Sequence, residues 1–359
     1  MKVTTVIGAR PQFIKAAAVS KAILDTQGLE EVLIHTGQHF DQNMSDIFFS
    51  QLGIPEPKYN LDIHGGGHGQ MTGRMLEALE EVFQKEQPDY VMVYGDTNST
   101  IAGALAAKKL HIPLAHVEAG LRSFNMKMPE EINRILTDRI SDLLFCPTQT
   151  AVDNLTKEGF ENLPAKTLLT GDVMYDAALL FGNLAEQLAV DLPTSVGQDK
   201  FALLTLHRAE NTDSEPRLRE IMEAIDEIHN KVMKVVCPLH PRTRNKLKEY
   251  GIKPGFTVID PVGYLEMVQL LKSCSLVLTD SGGLQKEAYF FEKPCVTLRD
   301  ETEWVELIDH GYNALVGASK ETILKTVASS INHSLDFGTQ LYGDGQASQK
   351  IISAIQASS

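Results

Sequence analysis

The chain has 359 residues, a formal net charge of −14 at pH 7 and a sequence pI of about 5.3. This length favours two domains over one, and the acidic balance argues against nucleic acid or an anionic membrane surface as a general partner. The hydrophobic fraction of 43% is ordinary for a soluble globular protein, and no apolar run is long enough to cross a bilayer.

The cysteines and histidines favour a cytoplasmic protein without a metal site. The four cysteines stand singly in apolar runs with no CxxC, as buried thiols in a reducing compartment do. The N-terminus enters a strand directly, with no signal peptide. The histidines show no metal-ligand spacing. We therefore expect neither a metal nor a cofactor.

Strand-like and helix-like segments alternate along almost the whole chain, which predicts an α/β protein with parallel sheets covered on both faces. The predicted strands of a first set are Val3–Ile7, Val32–Thr36, Tyr90–Tyr94, the run ending at Ala115, Leu143–Cys146 and Thr167–Leu169. Those of a second set are Phe201–Leu206, Val235–Pro238, Thr257–Ile259, Leu276–Thr279, Cys295–Leu298 and Ala314–Val316.

The boundary between two domains is expected near Gly171 and Asp172. We assign residues 1–171 to the first domain and residues 172–342 to the second, with a tail, residues 343–359, that returns to the first. Two similar α/β halves imply a cleft between them, a favoured place for a ligand.

The first turn after a strand is Gly8-Ala9-Arg10-Pro11-Gln12. It is not GxGxxG, so the fingerprint of a dinucleotide site is absent. Arg10, with Lys15 about one turn later, could face an anion. The alternative is a surface arginine and lysine with no ligand.

Two acidic residues follow the strand that ends near Ala115. Glu118 lies in the stretch from His116 to Arg122, and Glu131 follows Pro129, which suits the first turn of a helix. Carboxyl ends of strands are where ligands bind in open α/β sheets. Two carboxylates there could transfer protons if their environments separate their pKa values. The alternative is a pair of solvated acids in a surface loop.

The second set offers a histidine and an arginine at a strand end. His207 and Arg208 follow the strand Phe201–Leu206 and would face the predicted cleft, opposite Asp96 and the two glutamates. A lone histidine at a strand end is more often structural than catalytic, but the neighbouring arginine and the acids favour a functional interpretation.

A glycine-rich turn, Thr279-Asp280-Ser281-Gly282-Gly283, ends a later strand and opens a helix. Its glycines permit close approach of the backbone to a ligand, and the free N–H groups of a helix start suit a phosphate. Glu287, one turn further on, could bind ribose hydroxyls. The alternative is a glycine-rich connection that binds nothing.

Taken together and in order, these motifs resemble one family, the non-hydrolysing UDP-N-acetylglucosamine 2-epimerases of bacteria. The resemblance covers nearly the whole chain. It rests on Gly8-Ala9-Arg10-Pro11, Gly95-Asp96-Thr97, the residues from His116 to Arg122, Pro129-Glu130-Glu131-Ile132-Asn133-Arg134, His207-Arg208, Asp280-Ser281-Gly282-Gly283 and the residues from Tyr342 to Gln346.

The resemblance implies a GT-B architecture of two Rossmann-like, doubly wound domains, a homodimer, and UDP bound mainly by the second domain. It implies inversion of C2 of a UDP-2-acetamido sugar by elimination and re-addition of UDP, leaving open which carboxylate is acid and which base. The implied catalytic residues are Asp96, Glu118, Glu131 and His207. The implied UDP-binding residues are Arg10, Lys15, Arg208, Ser281, Gly282, Gly283 and Glu287.

The chain departs from the family pattern at a few positions. Ala9 and Gln12 replace Thr and Glu of the usual Thr-Arg-Pro-Glu, Ala209 replaces an Arg, and Trp304 replaces the Arg of Thr-Glu-Arg-Pro-Glu. The variant opening is similar to the subgroup that acts on UDP-2,3-diacetamido-2,3-dideoxyglucuronate in surface polysaccharide synthesis. Alternatives are a GT-B glycosyltransferase, a hydrolysing epimerase, and a non-catalytic UDP-sugar sensor.

Overall fold

The computed structural model describes residues 1–38, 55–187 and 200–358. The chain forms two compact units, one of Met1–Ala177 with Leu341–Ser359 and the other of Ala178–Gln340. No helix among the described residues combines the length and the apolar character needed to span a membrane.

The first unit contains a seven-stranded sheet in the order β3-β2-β1-β4-β5-β6-β7, with every neighbouring pair parallel. Its strands are β1 (Lys2–Ile7), β2 (Glu30–His35), β3 (Tyr59–Asn60), β4 (Tyr90–Tyr94), β5 (Leu114–Val117), β6 (Leu143–Cys146) and β7 (Lys166–Leu169). The short β3 was not predicted, because two residues carry no strand pattern of their own.

Helices cover this sheet. They are α1 (Arg10–Leu24), α2 (His68–Glu86), α3 (Asn98–Lys109), α4 (Pro129–Ile140) and α5 (Gln149–Lys157), with a 3₁₀ turn at Phe160–Asn162. The next helix, α6 (Val173–Gln187), begins in the first unit, and its residues from Ala178 onward belong to the second. The small residues of α3 let it lie close to the strands: a Cβ on Gly103 would stand 3.1 Å from Val93 Cγ1. The start of α4 at Pro129 is as predicted.

The second unit contains a parallel six-stranded sheet in the order β10-β9-β8-β11-β12-β13. Its strands are β8 (Phe201–Thr205), β9 (Lys234–Pro238), β10 (Thr257–Ile259), β11 (Leu276–Thr279), β12 (Cys295–Thr297) and β13 (Asn313–Leu315). Its helices are α7 (Ala209–Thr212), α8 (Glu215–Lys231), α9 (Pro241–Glu249), α10 (Tyr264–Ser273), α11 (Gly282–Phe290), α12 (Val305–Asp309) and α13 (Lys320–Asn332). The predicted α/β class with parallel sheets is thus observed in both units.

The last helix, α14 (Ala347–Ala357), belongs to the first unit and packs against α1. Asp176 accepts hydrogen bonds from the backbone N–H groups of Ala347 (3.1 Å) and Ser348 (2.7 Å) at its start. Burial raises the pKa of the Asp176 carboxyl, although these N–H groups partly oppose that shift. The C-terminal segment is therefore held by a buried polar contact as well as by apolar packing.

Each sheet reverses its strand order at one place, between β1 and β4 in the first unit and between β8 and β11 in the second. The crevice outside such a reversal is where open α/β sheets bind ligands. In the first unit the loops there begin at Gly8 and Gly95, and in the second at Leu206 and Asp280. The motifs that begin at Gly8, Gly95, His207 and Asp280 therefore lie at the two reversals, whereas Glu118 follows the next strand, β5.

Candidate active site

Asp96 stands directly after β4, at the strand reversal of the first unit. Gly95 before it has a φ of 62°, in the left-handed region that glycine reaches without steric cost. Asn133 Nδ2 donates to the Asp96 carbonyl at 2.9 Å, and Arg134 Nη2 donates to its carboxylate. The Asp96 side chain is 31% exposed and therefore accessible to a ligand, although Asn133 fixes its backbone and Arg134 pairs with its carboxylate.

Glu118 follows β5 in a strained conformation. Its φ of 71° is left-handed, which costs a residue other than glycine on the order of 1–3 kcal/mol and is concentrated at functional sites. Its carboxylate forms an ion pair with Lys15 Nζ, and both side chains are largely buried. Burial lowers the pKa of Lys15, but the attraction of Glu118 outweighs it and the net pKa is raised. Lys15 therefore stays cationic beside Glu118.

Glu131, on the first turn of α4, is 1% exposed and binds the backbone of the loop between β5 and α4. Its carboxylate accepts hydrogen bonds from the backbone N–H groups of Ser123 (2.9 Å) and Phe124 (2.8 Å) and from Arg134 Nη1 (2.5 Å). Burial acts to raise the pKa of Glu131, but these donors outweigh it and the pKa is lowered. Glu131 is thus an ionised group whose oxygens are already engaged.

Arg134 joins two of the first unit's acids. Its guanidinium binds Glu131 through one nitrogen and Asp96 through the other. Lys15 adds a second cation beside Glu118, so two cations face three carboxylates at the carboxyl end of the sheet. Carboxylates held in such fixed geometry can exchange protons with a ligand.

In the second unit the backbone of His207 and Arg208 is fixed by one buried acid, Asp280. Its carboxylate accepts from the backbone N–H groups of His207 (3.1 Å) and Arg208 (2.9 Å) and from Asn211 Nδ2 (3.3 Å). The His207 ring also lies beside it, with Nδ1 3.5 Å from Oδ1, and is 42% exposed. The histidine is therefore oriented by an acid and open to a ligand.

The glycine-rich turn forms the start of α11. Ser281 caps the helix, its hydroxyl accepting from Leu284 N at 3.5 Å. Glu303 occupies the space that a Cβ on Gly282 would need, and Arg208 Nη2 lies 3.7 Å from the same point. The turn therefore places the N-terminus of a helix beside an arginine, a combination that suits an anion, with the Glu303 carboxylate against the same glycine.

One turn into α11, Glu287 accepts a hydrogen bond from the hydroxyl of Tyr264 at 3.2 Å. Its carboxylate is thus oriented by a neighbouring helix.

The predicted site residues fall into two groups, one in each unit. The first unit brings together Lys15, Asp96, Glu118 and Glu131, and the second brings together His207, Arg208, Ser281, Gly282, Gly283 and Glu287. The side chain of Arg10 lies outside what the structure describes. Lys15, predicted to bind nucleotide, pairs with Glu118 in this structure. No cluster of three potential metal ligands occurs within residues 1–38, 55–187 and 200–358.

Several residues that organise the site were not singled out from the sequence. Arg134 and Asp138 lie three and seven positions after Glu131 on α4, which places all three on one helix face. That spacing was a signal available in the sequence. Asp280 was quoted only as part of the glycine-rich turn, and its role as a backbone acceptor has no distinctive pattern.

The variant opening serves the interior of the first unit. Gln12, 1% exposed, accepts from Gly8 N (2.9 Å) and donates to the Tyr94 carbonyl (2.8 Å). A glutamate could not donate to that carbonyl. Ala9 is also buried. Gln12 therefore ties the loops after β1 and β4 together, and Ala9 packs in the interior beside it.

Comparison with known proteins shows the family. A family model described as UDP-N-acetylglucosamine 2-epimerase matches residues 21–356. The UDP-2,3-diacetamido-2,3-dideoxy-D-glucuronate 2-epimerase of Pseudomonas aeruginosa is 62% identical over 351 residues, covering 98% of each chain. The UDP-N-acetylglucosamine 2-epimerase of Methanocaldococcus jannaschii is 44% identical, also with 98% of each chain covered.

Solved structures agree. The M. jannaschii enzyme in complex with UDP-GlcNAc and UDP matches with a TM-score of 0.84 and 43% identity, covering 99% of this chain and 100% of that one. A heptosyltransferase of E. coli matches with a TM-score of 0.52 at 13% identity, which shows a shared fold alone. The predicted GT-B class and epimerase activity are confirmed, against the glycosyltransferase and sensor alternatives. The chain belongs to the UDP-N-acetylglucosamine 2-epimerase family.

Proposed function

We propose that the protein epimerises C2 of UDP-2,3-diacetamido-2,3-dideoxyglucuronate without hydrolysing it, in the synthesis of surface polysaccharide such as lipopolysaccharide. The substrate is supported by the 62% identity to the Pseudomonas aeruginosa enzyme of that name over 98% of both chains. The reaction is supported above all by one observation, the cluster of Asp96, Glu118 and Glu131 held by Lys15 and Arg134.

The chemistry explains why fixed carboxylates are needed. The C2–H bond is not α to a carbonyl, so its direct ionisation is not credible. A base instead removes the C2 proton while the bond from C1 to the UDP oxygen breaks, which gives free UDP and a glycal with a C1–C2 double bond. A proton then adds to C2 from the opposite face and the UDP oxygen re-forms its bond to C1. The reaction therefore needs proton-transfer groups and a firm hold on UDP.

The second unit supplies the hold on UDP in this proposal. Its support is the start of α11 at Ser281, where a helix N-terminus suits a diphosphate, with Arg208 close by. Glu287, oriented by Tyr264, is placed one turn later and suits a ribose diol. His207, exposed and oriented by Asp280, stabilises the negative charge of departing UDP. Arg10 is assigned to the same task by resemblance.

The first unit supplies the proton transfers. Asp96 is the most exposed of the three acids, and Glu118 is poised beside a cationic lysine. We assign proton transfer to these two. Glu131, whose oxygens are occupied by Ser123, Phe124 and Arg134, acts by holding the loop and the arginine. Of the residues predicted to be catalytic, Glu131 is therefore proposed to position other groups and not to transfer a proton itself.

We further propose a cytoplasmic homodimer. The four cysteines are buried and unpaired, which suits a reducing compartment. Ile132 and Leu136, one turn apart on α4, are 41% and 49% exposed, and an exposed apolar stripe of this kind marks an interaction surface. A second copy covers this stripe in the proposal. Light scattering should report a dimer for the wild type and a monomer for Ile132→Glu combined with Leu136→Lys.

Substrate identity is tested by NMR of the purified protein with each of two sugars. UDP-2,3-diacetamido-2,3-dideoxyglucuronate should be converted to its C2 epimer with a higher kcat/KM than UDP-GlcNAc. Asp96→Asn, which keeps the size of the side chain, is the inactive control. A kcat/KM for UDP-GlcNAc equal to or above that for the uronate would overturn the substrate assignment.

A further inference from the structure

His116, at the centre of the first unit, is hydrogen-bonded at both ring nitrogens. Its side chain is fully buried, with Nε2 2.7 Å from the Gly95 carbonyl and Nδ1 2.7 Å from Asp138 Oδ1. A backbone carbonyl can only accept, so Nε2 carries a hydrogen. A second hydrogen lies between Nδ1 and the carboxyl. The ring therefore connects Gly95 to Asp138 through two hydrogen bonds.

Asp138 also binds the loop that follows β5. Its Oδ2 accepts from Gly120 N at 3.1 Å and from Arg122 Nη1 at 2.7 Å. Arg122 in turn binds both oxygens of Glu158, at 2.7 and 2.8 Å. One carboxylate on α4 thus binds His116 in β5 and both Gly120 and Arg122 in the loop that carries Glu118.

These bonds act on the backbone that carries the proposed proton-transfer groups. Gly95 is left-handed and directly precedes Asp96, while Glu118 is left-handed between His116 and Gly120. Gly120, with a φ of 79°, lies so close to α5 that a Cβ there would stand 2.5 Å from the Ala151 carbonyl oxygen. Fixing residues 95, 116 and 120 therefore fixes the directions of Asp96 and Glu118.

We propose that His116 is a positioning residue for the epimerisation, whose Nε2–H donation to the Gly95 carbonyl aims Asp96 at the reacting sugar. The proposal rests on the proposed function of the site. His116 is fully buried, so it exchanges no proton with substrate. It acts by geometry, and a misplacement of about 1 Å in a catalytic group can cost on the order of 100-fold in rate.

Two substitutions separate positioning from general stability. His116→Gln extends an amide N–H towards Gly95, and His116→Asn extends one towards Asp138, while both remove the buried ring. Loss of stability should be similar in the two. His116→Gln should keep kcat within about tenfold of the wild type, whereas His116→Asn should lose about 100-fold. The KM and the thermal shift produced by UDP should change little in both, because His116 is bonded to Gly95 and Asp138 and to none of the residues assigned to UDP.

Backbone NMR gives a readout that does not depend on turnover. The amide resonances of Gly95 and Asp96 should stay near their wild-type positions in His116→Gln and move in His116→Asn. Equal kcat in two variants of equal stability, or equal amide shifts, would overturn the positioning role. If the wild type epimerised no UDP-sugar, the proposed function would fail, and the amide shifts would still decide the geometry.

The wild-type protein provides a test if neither variant folds. Histidine-labelled protein should show a slowly exchanging Nε2–H for His116, with a coupling or cross-peak to the Gly95 carbonyl. An imidazole that carries hydrogen only on Nδ1 would contradict the hydrogen bond to Gly95 and with it the proposal.

Discussion

Asp96 and Glu131 are bound by the same guanidinium, that of Arg134, although they follow different strands of the first sheet. Glu131 is buried and engaged by two backbone N–H groups, while Asp96 remains partly exposed. Because Glu131 holds Arg134 in place, Arg134 in turn restricts where the Asp96 carboxylate can lie. This relation makes the helix start at Pro129 part of the catalytic geometry.

Replacing Arg134 tests this relation. Arg134→Met leaves two acids without their shared cation, and removing one partner of a buried ion pair costs about 3 kcal/mol of unfolding free energy. We expect kcat to fall by about 100-fold, with the UDP-induced thermal shift retained. Arg139→Met, which removes an exposed arginine from the same helix, is the matched control. An Arg134 variant with wild-type kcat would show that the bridge has no role in turnover.

Trp304, which stands where the family pattern has arginine, holds the turn of the proposed UDP site. Its indole N–H donates to the Gly282 carbonyl at 2.9 Å, and Lys286 Nζ lies 4.2 Å from the ring centroid. An arginine there would bring a second cation to Lys286. Trp304→Arg should reduce the melting-temperature rise produced by saturating UDP, which follows from weaker binding to the native state.

A second substitution, at Lys286, tests whether the two positions are coupled. Trp304→Arg combined with Lys286→Glu replaces the cation–π contact by an ion pair and should restore most of the UDP-induced shift. Lys286→Glu alone, with the indole still in place, should give a UDP-induced rise in melting temperature no larger than that of the wild type. A double variant no better than Trp304→Arg would argue against the coupling of these two positions.

Glu86, at the end of α2, gives a stability signal that is independent of the active site. Hydrogen bonds from Lys58 Nζ and the Tyr59 hydroxyl lower its pKa from 4.5 to about 2. A carboxyl whose pKa is lower in the folded state stabilises the protein above the unfolded pKa, and this stabilisation is lost as pH falls from about 4.5 towards 2.

The measurement is the difference in unfolding free energy between the wild type and Glu86→Gln. The difference should favour the wild type at pH 7 and shrink as the pH is lowered through 4. Glu77→Gln, which makes the same change at an exposed position of the same helix, is the matched control. A difference that stays constant from pH 7 to 3 would contradict the lowered pKa of Glu86.

The sequence was most informative about elements and about which loops carry function. The apolar run Tyr90–Tyr94 has the same bounds in the structure, because a central parallel strand buried on both faces carries an uninterrupted apolar pattern. The placement of Asp96, Glu118 and His207 after strands followed from the same reasoning. The loops that carry Glu118 and His207 are fixed by buried aspartates, Asp138 and Asp280 respectively.

Tertiary contacts explain what the sequence did not reveal. The spacing of Arg134 and Asp138 from Glu131 was visible, but which face of α4 turns inward is decided by packing. Gln12 was interpreted as part of an opening similar to one subgroup of the family, and the structure adds that its side chain connects two buried loops. A glutamine that satisfies backbone groups and one that contacts a ligand have the same sequence pattern, so only the fold distinguishes them.

The central claim is elimination and re-addition of UDP at this cluster of acids, and epimerisation in heavy water tests it most directly. The C2 proton is discarded and replaced by one from an acid that exchanges with solvent, so the product epimer should carry deuterium at C2, with occasional release of UDP and glycal. Asp96→Asn and Glu118→Gln should abolish this incorporation, while the UDP-induced thermal shift is retained. An epimer that keeps its original C2 hydrogen quantitatively, with no exchange and no glycal, would contradict the mechanism and the roles assigned to both acids.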